Sequence, residues 1–81
     1  MKTTEGILSD LLLINSSYKR MQEFNNVDSI DVVYRHTLKK IELEELSDYL
    51  YDNNYEHRHS PMERDLKVYL SYCTVKIYQL N

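Results

Sequence analysis

Two histidines, His57 and His59, come nearest to a chemical site in residue type and spacing. With Glu56, Glu63 and Cys73 as further ligands they suggest a metal centre, because zinc is bound by imidazole, carboxylate and thiolate groups. Alternate residues face the same side only in an extended segment, however, and no second Cys or His pair has the spacing of zinc ligands. We therefore expect no metal and no cofactor, and we expect the histidines to lie in a solvated loop.

Nucleophilic catalysis would have to use Cys73, the single cysteine of the chain. This residue falls on an apolar stripe, where a thiol is usually an inert small hydrophobic group. A phosphate-binding loop needs several glycines, and the sequence has one. We expect a protein without catalytic residues. A lone cysteine also cannot form an internal disulfide, which fits a cytoplasmic location.

Charged residues in the middle of the chain offer two candidate contact surfaces. A candidate acidic docking face for a basic partner consists of Glu44, Glu45, Asp48 and Asp52. An alternative basic face that could contact DNA phosphates consists of Arg35, Lys39 and Lys40. The formal net charge of -3 and the pI near 5.5 disfavour nucleic acid and favour a protein partner.

The elements that position these residues are predicted to be helices. One glycine and one proline are too few for the tight turns of a many-stranded sheet, so a few long helices are favoured. Apolar residues spaced three and four apart predict helices over residues 5–24, 28–52 and 61–80. Asp28 or Ser29 would cap the second helix, which we expect to continue, bent, through Ile41 and Glu42.

The start of the third predicted helix is the clearest local signal. Ser60, Pro61 and Glu63 have the spacing of a capping box with proline at the first helical position. Beside its main apolar stripe this helix would carry a second one, which is typical of a central helix or of an interface. The residues of that candidate partner contact are Val68, Tyr69, Tyr72 and Val75.

The predicted fold class is therefore all-α, a compact bundle of three principal helices in a single domain over residues 1–81, with pairing as a dimer left open. A chain of this length has little room for a deep catalytic cleft. The apolar run from Ile7 to Ile14 is interrupted by Ser9 and Asp10, so it predicts neither a signal peptide nor a membrane span.

About residues 8–42 of the chain resemble the Sda family, small helical-hairpin proteins that inhibit sporulation histidine kinases. The resemblance is carried by Leu8-Ser9-Asp10-Leu11-Leu12-Leu13-Ile14-Asn15-Ser16, by Lys19, by Asn26, Asp28 and Ile30, and by Lys39-Lys40. It implies a hairpin inhibitor. The apolar residues that the family presents near its hairpin tip correspond here to Asn25 and Ser29, so the kinase-contacting site is not carried over.

These observations predict a small non-catalytic regulatory or inhibitory adaptor that binds another protein, with a homodimer as a further partnership. A DNA- or nucleoid-associated regulator is the first alternative. A chaperone-like or structural subunit that is stable only with its partner is the second. Salt-dependent affinity for DNA would separate the first alternative from the others.

Overall fold

The computed structural model describes residues 3–25 and 30–81, with the backbone alone at residues 24 and 25. Two helices and four strands make up the described chain. In order they are α1 (Thr4–Asn25), β1 (Asp31–Val33), α2 (Lys40–Asp52), β2 (His57–Ser60), β3 (Asp65–Tyr69) and β4 (Thr74–Tyr78).

Both helices bury one apolar stripe and begin at a hydrogen-bonded cap. In α1 the Thr3 hydroxyl accepts a hydrogen bond from the Gly6 amide at 3.0 Å, which satisfies one of the orphan donors of the first turn. In α2 the Glu42 carboxylate accepts from the Lys39 amide at 2.9 Å. The buried stripe of α2 consists of Leu43, Leu46 and Leu50, and that of α1 of Ile7, Leu8 and Leu11.

The four strands form one mixed sheet in the order β1-β4-β3-β2. β2, β3 and β4 form an antiparallel meander, whereas β1 pairs with β4 in parallel. β1 and β2 therefore run in the same direction at opposite edges, and α2 is the crossover between them. The β3–β4 hairpin fills the space between these two edge strands.

The core lies between the two helices and one face of the sheet. Leu66 and Val68 of β3, with Val75 and Ile77 of β4, are fully buried against the leucines of α2 and the apolar stripe of α1. The residues that alternate with them along the strands point to the other face, which no described helix covers. The fold is a two-layer arrangement of helices on one face of a sheet.

The predicted all-α bundle is wrong, because its third helix is a hairpin of two strands. Leu66 and Val68 alternate with polar neighbours, as do Val75 and Ile77, and this period of two is typical of a strand with one buried face. The residues that were predicted to form a second apolar stripe on the third helix belong to this two-residue alternation. Ser60 ends β2 and caps no helix.

The second predicted helix is wrong in its first half. Residues 31–33 are the edge strand β1, and only Lys40–Asp52 is helical. Tyr34 and Leu38, which the sequence predicts on the apolar face of that helix, are buried. They lie, however, in an irregular connection that runs beside β4 and the residues after it. The predicted break at Asn26 and cap at Asp28 or Ser29 lie outside the described residues.

Turns without glycine explain why the sheet escaped prediction. Asn54 and Arg64 adopt positive φ angles of 63° and 58°, the region that glycine usually occupies. In the β2–β3 turn the Arg64 amide donates to the Pro61 carbonyl, and in the β3–β4 turn the Leu70 amide donates to the Cys73 carbonyl. The scarcity of glycine therefore did not exclude tight turns in this chain.

Candidate functional site

The face of the sheet that points away from the helices is the most distinctive surface of the described chain. We call it the open face. Successive residues of a strand point to opposite faces of the sheet. The open face therefore consists of the strand residues that alternate with the buried residues of the core. They are Asp31, Val33, Arg58, Ser60, Asp65, Lys67, Tyr69, Thr74, Lys76 and Tyr78. Part of this face is a shallow concavity of about 260 Å³, lined among others by Lys67, Tyr69 and Lys76.

Three cations stand side by side in the centre of the open face. The strand register places Arg58 opposite Lys67 and Lys67 opposite Lys76, with Val33 next in the same line. We call Arg58, Lys67 and Lys76 the basic row. Adjacent strands are about 4.8 Å apart, so the three residues lie within about 10 Å of one another across the sheet.

No acidic side chain among the described residues forms an ion pair with the basic row. Like charges directly opposite each other on adjacent strands destabilise a sheet. The row therefore costs stability that no ion pair among the described residues offsets. An arrangement of this kind favours a ligand that brings several negative charges.

Two exposed tyrosines flank the basic row on either side. Tyr69 is 38% exposed and Tyr78 is 41% exposed. Each lies two residues from a lysine of its own strand, so each is about 7 Å along the strand from the row. The Lys76 ammonium lies 5.5 Å from the centre of the Tyr78 ring, within range of a cation–π contact. The open face thus combines planar rings with positive charge.

Two acidic residues share the open face without pairing with the row. Asp31 lies at a corner, in register with Thr74. Asp65 lies in register with Tyr78 and is only 2% exposed, and its buried Oδ1 atom has no hydrogen-bond partner in the described chain. The open face therefore carries three cations against two carboxylates, and its centre, where the three cations lie, is its most positive part.

The acidic docking face predicted from the sequence lies on the opposite layer of the molecule. All four of its residues are exposed on α2: Glu44, Glu45, Asp48 and Asp52. The structure therefore brings them together. It also separates the charges of the chain, negative on the helical layer and positive on the open face. The formal net charge of -3 averages over two surfaces of opposite sign.

No family model, curated protein or solved structure matches this chain. The resemblance to the Sda family stays a prediction. Within residues 3–25 and 30–81 no helix is long and apolar enough to cross a membrane.

The four residues of the predicted partner contact do not form one surface. Val68 and Val75 are fully buried in the core, whereas Tyr69 lies on the open face. Tyr72 lies in the β3–β4 turn, where its amide donates to the Asn15 side chain at 2.8 Å and so ties the turn to α1. On a strand, neighbours in sequence face opposite sides, so the helical grouping of these residues is lost.

The alternative basic face is also dispersed. Arg35 lies in the bend after β1, Lys39 is the residue before α2, and Lys40 begins that helix. All three are exposed. They share no single helix face, because only Lys40 is helical.

The histidines occupy a strand and not the predicted solvated loop. His57 Nε2 lies 3.0 Å from the Ser47 hydroxyl, and His57 Nδ1 lies 2.8 Å from the Tyr55 carbonyl. A carbonyl can only accept, so Nδ1 carries a proton, and when the ring has no second proton the Ser47 hydroxyl donates to Nε2. A hydroxyl and a base are paired this way in nucleophilic catalysis, but neither residue lines the concavity of the open face. The pair joins α2 to β2.

The other side chains that could bind a metal or act as a nucleophile are not grouped into a site. In the described part of the chain no three His, Cys, Asp or Glu side chains are grouped so that they could hold a metal ion. Cys73 is buried, and burial raises the pKa of its thiol. A thiol that resists ionisation is a poor nucleophile.

The residues of the basic row were missed at the level of sequence. The helical periodicity instead predicts a loop at Arg58 and a polar helix stripe at Lys67. The available signal was the alternation of residues 65–69 and 74–78, in which the apolar residues occupy every second position. Had both segments been assigned as strands, Lys67, Tyr69, Lys76 and Tyr78 would have been predicted to share a face.

Proposed function

We propose that this chain is a small non-catalytic regulator that binds single-stranded nucleic acid on the open face of its sheet. The observation that carries the proposal is the basic row, three adjacent cations with no acidic partner among the described residues. This function belongs to the first alternative predicted from the sequence, but it uses different residues. The sequence predicts a protein partner, and we propose a nucleic acid instead because the positive charge is concentrated on one face. A cytoplasmic location is part of the same proposal.

The chemistry of the open face favours a nucleic acid over an acidic protein segment. The backbone phosphates supply a regular series of negative charges for the row, and the bases supply planar surfaces for Tyr69 and Tyr78. The centre of a protein interface is usually apolar, whereas the exposed residues here are charged or aromatic apart from Val33.

A single strand fits this surface better than a duplex. In a duplex the bases are already stacked on one another, so exposed tyrosine rings gain little from them. In a single strand each base can stack on a ring, a contact worth about 1–3 kcal/mol per base. We expect a dissociation constant on the order of 1–100 µM near 50 mM salt, with weak preference for sequence.

Salt dependence gives a quantitative expectation. Each phosphate contact contributes about -0.7 to the slope of log affinity against log salt for single strands, so three contacts give about -2. The measurement is fluorescence anisotropy with a labelled ten-nucleotide oligothymidine, titrated between about 50 and 300 mM salt. An oligouridine and a duplex of the same length serve as comparison ligands.

The decisive variant neutralises the basic row, Arg58→Gln with Lys67→Gln and Lys76→Gln. It should weaken binding at least about tenfold and bring the salt slope close to zero. The matched control neutralises three exposed cations outside the row, Arg35→Gln with Lys39→Gln and Lys40→Gln, and should change affinity less than about threefold. Circular dichroism of both variants checks that the fold is retained.

Substitution of the tyrosines separates stacking from charge. Tyr69→Ala and Tyr78→Ala should each weaken binding without changing the salt slope, whereas Phe at either position should retain most of the affinity. If the chain binds none of the three probes at 50 mM salt, or if the control triple variant is the one that loses binding, the proposal fails.

The protein-binding adaptor remains a second candidate function because of the acidic face on α2. Four exposed carboxylates on one helix complement a basic protein surface, and long-range attraction of this kind accelerates association. The test is affinity capture from the native host with the wild-type chain and with a variant in which Glu44, Glu45, Asp48 and Asp52 are changed to their amides. A partner that is captured equally by both proteins contradicts this candidate.

A further inference from the structure

The acidic face of α2 points away from the core of the molecule. Successive residues of a helix are about 100° apart, so its four carboxylates lie on the side opposite to the buried leucine stripe. None of the four forms an ion pair with a residue that the structure describes. They are Glu44, Glu45, Asp48 and Asp52. The molecule therefore presents an acidic face on one side and the basic row on the other.

A line of four residues runs along the outer side of α2. Ile41, Glu45, Asp48 and Asp52 follow one another at spacings of four, three and four, so each lies one turn above the last. The line is about 16 Å long, because each residue of a helix rises about 1.5 Å. Ile41 is 57% exposed. The line is thus one exposed apolar residue followed by three carboxylates.

The basic row continues into a line with the same order of chemistry. Val33, Lys76, Lys67 and Arg58 are adjacent in strand register, one exposed apolar residue followed by three cations. This line is about 14 Å long, because adjacent strands are about 4.8 Å apart. Long, flexible side chains cover a difference in length of about 2 Å between the two lines.

The two lines are complementary in one direction. When α2 of one molecule lies along the row of another with Ile41 beside Val33, each carboxylate of the line meets one cation. The reverse direction places Ile41 beside Arg58 and a carboxylate beside Val33. The convex side of a helix also suits the shallow concavity of the open face.

We propose that the acidic face of one copy of this chain docks on the open face of a second copy, in the direction that places Asp52 opposite Arg58. The two faces lie on opposite sides of the molecule, so the contact is heterologous and each complex keeps one free face of each kind. A third copy can then add. The copies stack head to tail and do not close as a twofold dimer.

Stacking regulates the proposed nucleic-acid site, because phosphates and the carboxylates of a second copy compete for the same cations. This consequence rests on the proposed function, whereas the stacking itself does not. The contact is one helix face on one sheet face, smaller than the 1,200 Å² or more that is usual for stable interfaces. We expect a dissociation constant on the order of 100 µM near 50 mM salt.

Sedimentation of the full chain without nucleic acid measures the stacking. Between about 5 and 500 µM the weight-average mass should rise about fourfold and pass the mass of a dimer without levelling off. Raising the salt to about 300 mM should weaken association at least about fivefold, because the charges are then screened.

Two variants that each lack one face provide the decisive test. The row variant is Arg58→Gln with Lys67→Gln and Lys76→Gln, and the acid variant carries amides at all four positions of the acidic face. Each variant alone should associate at least about tenfold more weakly than wild type. An equimolar mixture should recover association but stop at one-to-one complexes, because only one complementary pair of faces remains.

Matched controls separate the two faces from net charge. Amides at four other exposed acids change the net charge as the acid variant does and should leave stacking within about threefold of wild type. Those acids are Glu5, Glu23, Glu56 and Glu63. A chain with all seven changes of the row and acid variants should associate with neither. Circular dichroism checks that each variant keeps the fold.

Charge reversal tests the direction of the contact. Asp52→Arg and Arg58→Asp should each weaken association at least about fivefold, and the double variant should return to within about threefold of wild type. A double variant that does not recover overturns the proposal. So does a chain that stays monomeric to 500 µM, a mass that levels off at a dimer, or a mixture of the row and acid variants that does not associate.

Oligothymidine added to the stacked wild type tests the competition. It should return the mass to that of single copies bound to the oligonucleotide, and binding that leaves the stack intact contradicts a shared row. If the oligonucleotide does not bind at all, the proposed function fails while the stacking measured without it stands, so the two failures are distinguishable.

Discussion

The hydrogen bond between Tyr34 and Asp10 is the sharpest single test of how α1 is attached to the sheet. The Tyr34 hydroxyl donates to Asp10 Oδ2 at 2.5 Å, and the tyrosine is 4% exposed. Tyr34→Phe removes the hydroxyl and leaves the ring, including its edge contact with His36. A hydrogen bond to a charged group contributes about 1.5–3 kcal/mol to stability. Asp10 is only half-buried and can be hydrated when the donor is lost, so we expect a loss of about 1–2 kcal/mol.

The same residue predicts how stability depends on pH. Burial, followed by the hydrogen bond to the Asp10 carboxylate, raises the pKa of Tyr34 well above its ordinary value of 10.0. In the unfolded chain the phenol ionises near pH 10, whereas the folded chain keeps it protonated. The contribution of Tyr34 is therefore complete below pH 10 and is lost as the pH rises above it. One pH unit above 10, the loss is about 1.4 kcal/mol.

Urea unfolding of wild type and Tyr34→Phe at pH 7, 9, 10, 10.5 and 11 measures both effects. The wild type should be more stable by about 1–2 kcal/mol at pH 7, and this difference should nearly disappear by pH 11. Tyr51→Phe is the control, because Tyr51 is 77% exposed on α2 and loses a phenol without losing a buried contact. Equal stability of wild type and Tyr34→Phe at pH 7, or a difference that is constant to pH 11, would refute the reasoning.

Three further predictions concern the sheet and its turns. Arg64→Gly should raise the free energy of unfolding by about 1 kcal/mol in a thermal melt, because Arg64 has a φ of 58°, and a lower midpoint would contradict this. Leu66→Ala should lower the free energy of unfolding by about 2–5 kcal/mol, whereas Lys67→Ala should lower it by less than about 0.5 kcal/mol. Similar losses for the two variants would mean that residues 65–69 have no buried face. Ser47→Ala should cost about 0.5–1.5 kcal/mol in urea unfolding through the lost bond to His57, and no change would make that contact negligible.

The helices were predictable because their signals are local. Ile7 and Leu11 repeat at helical spacing, and the structure has α1 over Thr4–Asn25, close to the predicted residues 5–24. The stripe of Leu43, Leu46 and Leu50 likewise lies within Lys40–Asp52. In both segments the apolar spacing and the absence of competing turn residues lead to the same structure.

The sheet was not predictable from the same reasoning, for two physical reasons. Residues 65–80 contain apolar residues at nearly every second position and also at three and four, so both periodicities fit the segment. The β2–β3 turn that precedes this segment uses Arg64 in the conformation that glycine prefers, which removes the usual sign of a hairpin. Alignment of Arg58, Lys67 and Lys76 depends on strand register, and no short segment specifies that register by itself.

The parallel pairing of β1 with β4 has a consequence for the order in which the chain folds. α2 and strands β2, β3 and β4 are consecutive in sequence, and short turns connect the strands, so these contacts require little loop closure. β1 instead meets β4 across more than forty residues, in the register of Asp31 with Thr74. We therefore expect residues 40–78 to collapse first and β1 to add last. Before it adds, the β4 edge of one molecule is open to β1 of another, which makes exchange of this strand the expected route of misassembly at high concentration.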